Sequence, residues 1–299
     1  MTYPRSHLVD RHNGGCYHCV SRCVRQAWLC GETPHAGPSF EHRGAWLEER
    51  ILALAGVFAV DLYAYAVMSN HYHVVVHVRP EQAREWCDLE VAQRWLRVCS
   101  PRRSYGEDER IDAFAQDAER ISRCRERLGN LSWFMRFINE PMARMANRED
   151  ERSGRFWEGR FSSKALLDDS ALLACVVYVD LNPARAGIAD SPEQSRRTSV
   201  RRRVNPGNED ALTAIGTSAS LIPVSLEAYL EILRWIIASQ SGRQSAAPAS
   251  LEPVLQHSGR SSAEWLAWMQ SQRLGRRAYG NAQTIKDYTA SIGQLWVRQ

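Results

Sequence analysis

The chain has 299 residues, 44% of them hydrophobic and 24% charged, a balance that excludes wholesale disorder and a fibrous repeat. No apolar run reaches the ~18 residues of a membrane-spanning helix, and MTYPRSHLVDRH lacks the apolar core of a secretory signal, so a cytoplasmic protein is expected. The net charge is +4, and Lys164 and Lys286 are the only lysines among 38 basic residues; this arginine bias suits phosphate binding but also follows from a GC-rich genome.

Residues 15–24, opened by Gly14-Gly15, read as a first strand, GCYHCVSRCV. Cys16, Cys19, Cys23 and Cys30 cluster here. A CxxC pair can ligate zinc, but alternation along a strand puts Cys16 and Cys19 on opposite faces, and no second CxxC follows. With no export signal the eight cysteines are expected as thiols. Residues 38–54 carry Phe40, Trp46, Leu47, Ile51 and Leu54 at helical spacing, and Gly56 ends the run. Two strands follow at 57–68 and 71–78, separated by Ser69-Asn70 in a tight hairpin.

Residues 81–127 are charged and helix-prone, and read as a helical insertion around a loop at Pro101–Asp108. A helix covers about 131–147. The segment GRFWEGRFSSKALLDD leads to another at about 169–181, closed by Asn182-Pro183 and Gly187. Beyond Pro192 the character changes: Ser195–Gly207 holds Arg196, Arg197, Arg201, Arg202 and Arg203 and no acid. That run suits either contact with backbone phosphate or a solvated linker. An apolar helix at 222–238, a Ser/Ala/Gln/Pro linker at 239–250 and a small basic helical unit at 261–299 complete the chain. Allowing for a weak or missed strand, the expected fold is α+β: an antiparallel sheet with helices on one face, a helical insertion and a helical C-terminal extension. The division is residues 1–190, a core domain, and 191–299, an arginine-rich join plus extension.

Two patterns carry chemistry. In His71-Tyr72-His73 the imidazoles project to one face of a strand about 7 Å apart, close enough to share a divalent metal. They could equally be two histidines on a partly exposed strand end. In Tyr178-x3-Asn182 a phenol and a carboxamide stack on one helix face, which also describes a half-buried tyrosine with an Asn before Pro183. Taken together they suit phosphoryl transfer: a metal polarises the phosphoryl oxygen, a tyrosine hydroxyl attacks phosphorus, and Asn182 offers a neutral oxygen to a hard cation.

With those residues in place, the sequence resembles the HUH-superfamily single-tyrosine transposases, and most closely the REP-associated tyrosine transposases. The resemblance rests on Gly15–Arg22, on Tyr65-Ala66-Val67-Met68-Ser69-Asn70-His71-Tyr72-His73, on Gly154–Phe161, and on Tyr178–Gly187, in the family's order over roughly 12–190. It implies a ferredoxin-like sheet with His71 and His73 as metal ligands on a central strand. Asn182 would be a third ligand, Mg²⁺ or Mn²⁺ the cofactor, and Tyr178 the nucleophile. The implied substrate is single-stranded or hairpin DNA, nicked and rejoined through a 5′-phosphotyrosine. Trp157, Arg160, Lys164 and Arg185 would face the DNA, Trp157 having core packing as its alternative reading. A homodimer is one assembly such an enzyme adopts. The insertion and the last 100 residues depart from the family's pattern, and Met142 and Met145 stand where many relatives carry tyrosines. A DNA-binding protein that keeps the fold without turnover, and a phosphodiesterase that uses water, are the competing functions. His18 and His77 are read as structural.

Overall fold

The computed structural model describes residues 9, 13–24, 28–31, 39–99, 106–189, 191–206, 211–217, 220–222, 224–240, 246–270 and 277–294. The strands are β1 (Gly15–Arg22), β2 (Val60–Val67), β3 (His71–Val78), β4 (Ser162–Leu166) and β5 (Ala278–Tyr279), ordered β2-β3-β1-β4-β5. The first four pair antiparallel, the ferredoxin-like order, and β5 adds a short parallel edge. The helices are α1 (Glu41–Ala55), α2 (Pro80–Glu85), α3 (Asp88–Cys99), α4 (Glu107–Ala115), α5 (Ala118–Leu128), α6 (Leu131–Glu149), α7 (Asp169–Asp180), α8 (Asn182–Arg185), α9 (Ser199–Val204), α10 (Leu226–Gln240), α11 (Glu252–Ser258), α12 (Ser262–Gln270) and α13 (Ala282–Ser291).

β3 lies between β2 and β1, which explains its near-continuous apolar run. Tyr72, Val74, Val76 and Val78 enter one core with α1 and α6, while Val75 faces a second core with α7. The Ser69-Asn70 turn is closed by Met68 N–H donating to His71 O at 2.8 Å. Entry into β1 depends on Gly14, at φ 73°, where a Cβ would sit 2.1 Å from Val78 O. Cys16 and Cys19 belong to opposite cores, so they cannot share an ion, and the eight cysteines are free thiols.

The expectation of helices on one face is corrected. Helices cover both faces of the sheet: α1 and α6 pack on one, α7 with α10–α12 on the other. The reason is composition. α7 is apolar all round, and Ser170 through Asp180 are all buried, so one sheet face leaves half its surface uncovered and a second layer is needed. The weak strand that the α+β expectation allowed for is β4, in the segment before α7. Its sequence SSKAL has weak strand propensity, and it is held by pairing along β1 rather than by its own residue types. The helical insertion is present as α2–α5; of the loop expected at Pro101–Asp108, residues 101–105 lie outside the described residues.

Candidate active site

Register builds the site. His71 and His73 leave β3 on the α7 face, and their rings meet edge to face with centroids 4.9 Å apart. On the neighbouring strand His18 stands opposite Val75 in β3 and opposite Lys164 in β4. Its ring stacks on His73 at 5.1 Å. α7 brings Tyr178 over this group, its ring 5.9 Å from His73 and 6.0 Å from His18. One turn on, Asn182 opens α8, with Nδ2 3.3 Å from His73 Nε2. The spacing of four between Tyr178 and Asn182 thus does present both to the histidines.

With the amides oriented as they stand, the hydrogen bonds suit one tautomer of each imidazole. Asn70 Oδ1 accepts from His71 Nδ1 at 2.7 Å and from Arg22 Nη1 at 3.5 Å, so the His71 lone pair is on Nε2. Asn182 donates to His73 Nε2, which places the His73 proton on Nδ1, 2.8 Å from His18 Nε2. The His18 proton is then on Nδ1, buried and without a partner among the described residues. Burial, with adjacent cations, drives all three rings toward the neutral form: His71 to about 4, His18 to about 3, and His73 well below its ordinary value. The facing Lys164 is lowered by burial too.

Lys164 and Arg185 reach the site. Lys164 lies across from His18, and the Arg185 guanidinium stands 5.8 Å from the centre of the Tyr178 ring. With its amide oxygen turned inward, Gln240 at the end of α10 accepts from Arg185 Nη2 at 2.6 Å. Tyr178 is 6% exposed beneath this pair. Trp157 and Arg160 are placed elsewhere. Trp157 donates to Asn139 O at 2.9 Å and packs on Tyr72, whose side chain belongs to the other face of the sheet. Arg160 is exposed on the bend before β4.

His18, read from the sequence as structural, is the histidine whose contact with His73 the sequence did not reveal. Its one signal is parity within β1, because Cys16 and His18 share a face; which neighbour that face meets depends on a pairing 55 residues away. His77, by contrast, lies at the far end of β3, 3.4 Å from Asp61, as a structural residue would.

The donor set can be tested against a metal ion. Among the described residues no three His, Cys, Asp or Glu side chains are arranged to hold one. Two neutral imidazoles with Nε2 lone pairs and a carboxamide 3.3 Å from one of them fit a divalent cation if Asn182 turns its oxygen inward. His73 also carries the outer hydrogen bond from its second nitrogen that orients a ligand histidine, here onto His18.

No helix among the described residues is long and apolar enough to cross a membrane. No family model matches the chain, and no curated protein matches it in sequence. Among solved structures, that of a REP-associated tyrosine transposase bound to a REP hairpin aligns with a TM-score of 0.41 and 13% identity, over 74% of this chain and 96% of that one.

Proposed function

We propose that the protein nicks single-stranded or hairpin DNA and transfers the strand through a phosphotyrosine on Tyr178. One observation carries the reading: three imidazoles, a phenol and a carboxamide from β1, β3, α7 and α8 lie in mutual contact, with Lys164 and Arg185 beside them. His71, His73 and Asn182 would hold a divalent cation such as Mg²⁺ or Mn²⁺, which supplies polarisation of a phosphoryl oxygen.

The remaining work falls to side chains. The Tyr178 oxygen bonds to phosphorus as the bond from phosphorus to the 3′ oxygen breaks, and the phenol proton ends on that oxygen. A 5′-phosphotyrosine and a free 3′ hydroxyl result. A later 3′ hydroxyl attacks the same phosphorus, restores the phenol and joins DNA, so neither water nor a nucleotide is consumed. Lys164 and Arg185 place positive charge where the phosphate charge develops. Arg185, 5.8 Å from the centre of the Tyr178 ring and hydrogen-bonded to Gln240, would exchange that amide for a phosphate oxygen when DNA binds.

The test is a covalent protein–DNA adduct on hairpin oligonucleotides with Mg²⁺ or Mn²⁺, lost in Tyr178→Phe. No adduct across a broad oligonucleotide library would sink the reading. Tight hairpin binding unchanged by Tyr178→Phe and by chelation would instead identify a DNA-binding protein without turnover. Products with free ends and no protein-linked phosphate would identify a water-using phosphodiesterase.

A further inference from the structure

The arginine run after Pro192 is not a loose linker. Its backbone is fastened to the outer edge of β2: Val67 N–H donates to Arg197 O at 3.1 Å, Tyr65 N–H donates to Ser199 Oγ at 3.1 Å, and Ala66 bridges Thr198. Arg197 adopts a left-handed backbone at φ 55°, a strained conformation for arginine that the flanking bonds hold in place. Its own guanidinium is engaged by Glu41. The turn sends the neighbouring arginines outward, and Arg196 and Arg201 are both exposed.

This edge and α1 enclose a depression of ≈ 380 Å³, walled by Arg196, Arg197, Arg201, Arg202, Thr198 and Asn205. Glu48, the carboxylate in the wall, accepts from Tyr65 Oη at 2.7 Å. A second cavity of ≈ 490 Å³ adjoins it and shares Arg196 and Arg197. Its other walls include the half-buried Trp28, Met68, Ser69 and Pro183. Ser69 and Pro183 are chain neighbours of Asn70 and Asn182, so this second cavity lies beside the turn and the helix start that carry His71 and Asn182, although neither residue lines it.

We propose that the two cavities form one groove for a single DNA strand leaving the Tyr178 site, its phosphates on Arg196, Arg201 and Arg202 and a base near Trp28. The inference rests on the DNA-processing reading above and extends it to a substrate segment. Guanidinium groups match phosphate oxygens bidentately, and an arginine-lined track beside an aromatic side chain is how single strands are held without sequence readout. The depression's wall is mainly cationic and polar, whereas the second cavity adds the apolar Trp28, Val67, Met68, Pro183 and Ile188; a protein partner that docks on the apolar part alone would bind equally well to the arginine variant.

The experiment compares a hairpin carrying a ten-nucleotide single-stranded arm with the same hairpin lacking it, titrated against the full chain at several salt concentrations. Arg196→Gln with Arg201→Gln should weaken binding of the armed hairpin about tenfold and lower the slope of log K against log salt by ~1.4, about 0.7 per phosphate contact. The armless hairpin should be bound as before. A melting temperature equal to that of the unsubstituted chain shows that the variant is folded. Arg120→Gln with Arg123→Gln on α5, which removes the same charge elsewhere, should leave both titrations unchanged. Unchanged affinity and slope in the groove variant, equal loss on the armless hairpin, or equal loss in the α5 control each overturn the groove. Adduct formation on the armed hairpin separates the two ideas. An adduct with no groove effect leaves the Tyr178 reading standing alone, and a groove effect with no adduct leaves a strand-binding surface alone.

Discussion

The three histidines are held toward the neutral form, because burial and the neighbouring cations both disfavour protonation. Neutral imidazole is the form that binds a metal, and two tautomers here keep a lone pair on Nε2. His71→Ala should therefore abolish both the Tyr178 adduct and Mn²⁺ binding followed by electron paramagnetic resonance, while His77→Ala, at the far end of β3, should spare both. His18→Ala removes the acceptor that orients His73, and Mn²⁺ affinity should fall by about 10- to 100-fold. Equal Mn²⁺ affinity in His18→Ala and the unsubstituted chain would show that His18 only fills space. That His71 shares a face with His73, and Tyr178 with Asn182, is legible in the sequence because strand and helix periodicity put each pair on one side. His18 is not, because its partnership with His73 exists only after β1 and β3 take their register.

At the scale of elements, two clamps hold the helical layers, and each joins residues far apart in the chain. Arg43 in α1 is fully buried and donates to Glu149 Oε2 at 2.6 Å and to Trp28 O at 3.0 Å, with Asp150 as a further partner. Burial raises the Glu149 carboxyl, but hydrogen bonds from Arg43 and His42 outweigh it and leave it below its ordinary value of 4.5. A carboxyl depressed on folding contributes stability that is full above that value and is lost as pH falls through the folded one. The melting temperature should drop over that acid range, and Glu149→Gln should flatten the drop; a parallel profile would refute the assignment. The second clamp is Asp180 at the end of α7, where a carboxylate opposes the helix dipole. It is held by Tyr229 Oη at 2.5 Å, by Val200 N–H at 3.1 Å and by Ser199 Oγ. Asp180→Ala strands these buried donors and should cost on the order of 3 kcal/mol in chemical denaturation. Neither clamp is visible in the sequence. Arg43 sits in a helix with ordinary periodicity, and Asp180 reads as one more polar residue near Asn182.

Across the whole molecule, α7 is the shared wall between the sheet and the C-terminal helices. Tyr229, Ile232, Leu233 and Ile236 of α10 and Trp265 and Met269 of α12 are buried in the same core as Leu172, Val176 and Val179. Ending the chain after residue 190 would expose that side of α7 to water at about 25 cal/mol per Å² of apolar surface. The truncated chain should lose its cooperative melt and bind a hydrophobic dye, whereas a cooperative melt at an unchanged temperature would mark residues 191–299 as an appendage. The sequence by itself determined the strands β1–β3, the long helices and the chemistry-bearing pairs, because each rests on local period and turn chemistry. Tertiary structure alone decided that β4 is a strand, that α7 is covered on both sides, that His18 joins the histidines and that the arginine run lies along a sheet edge. Those outcomes depend on pairings between distant segments, and nothing in a local window distinguishes a buried partner from an exposed one.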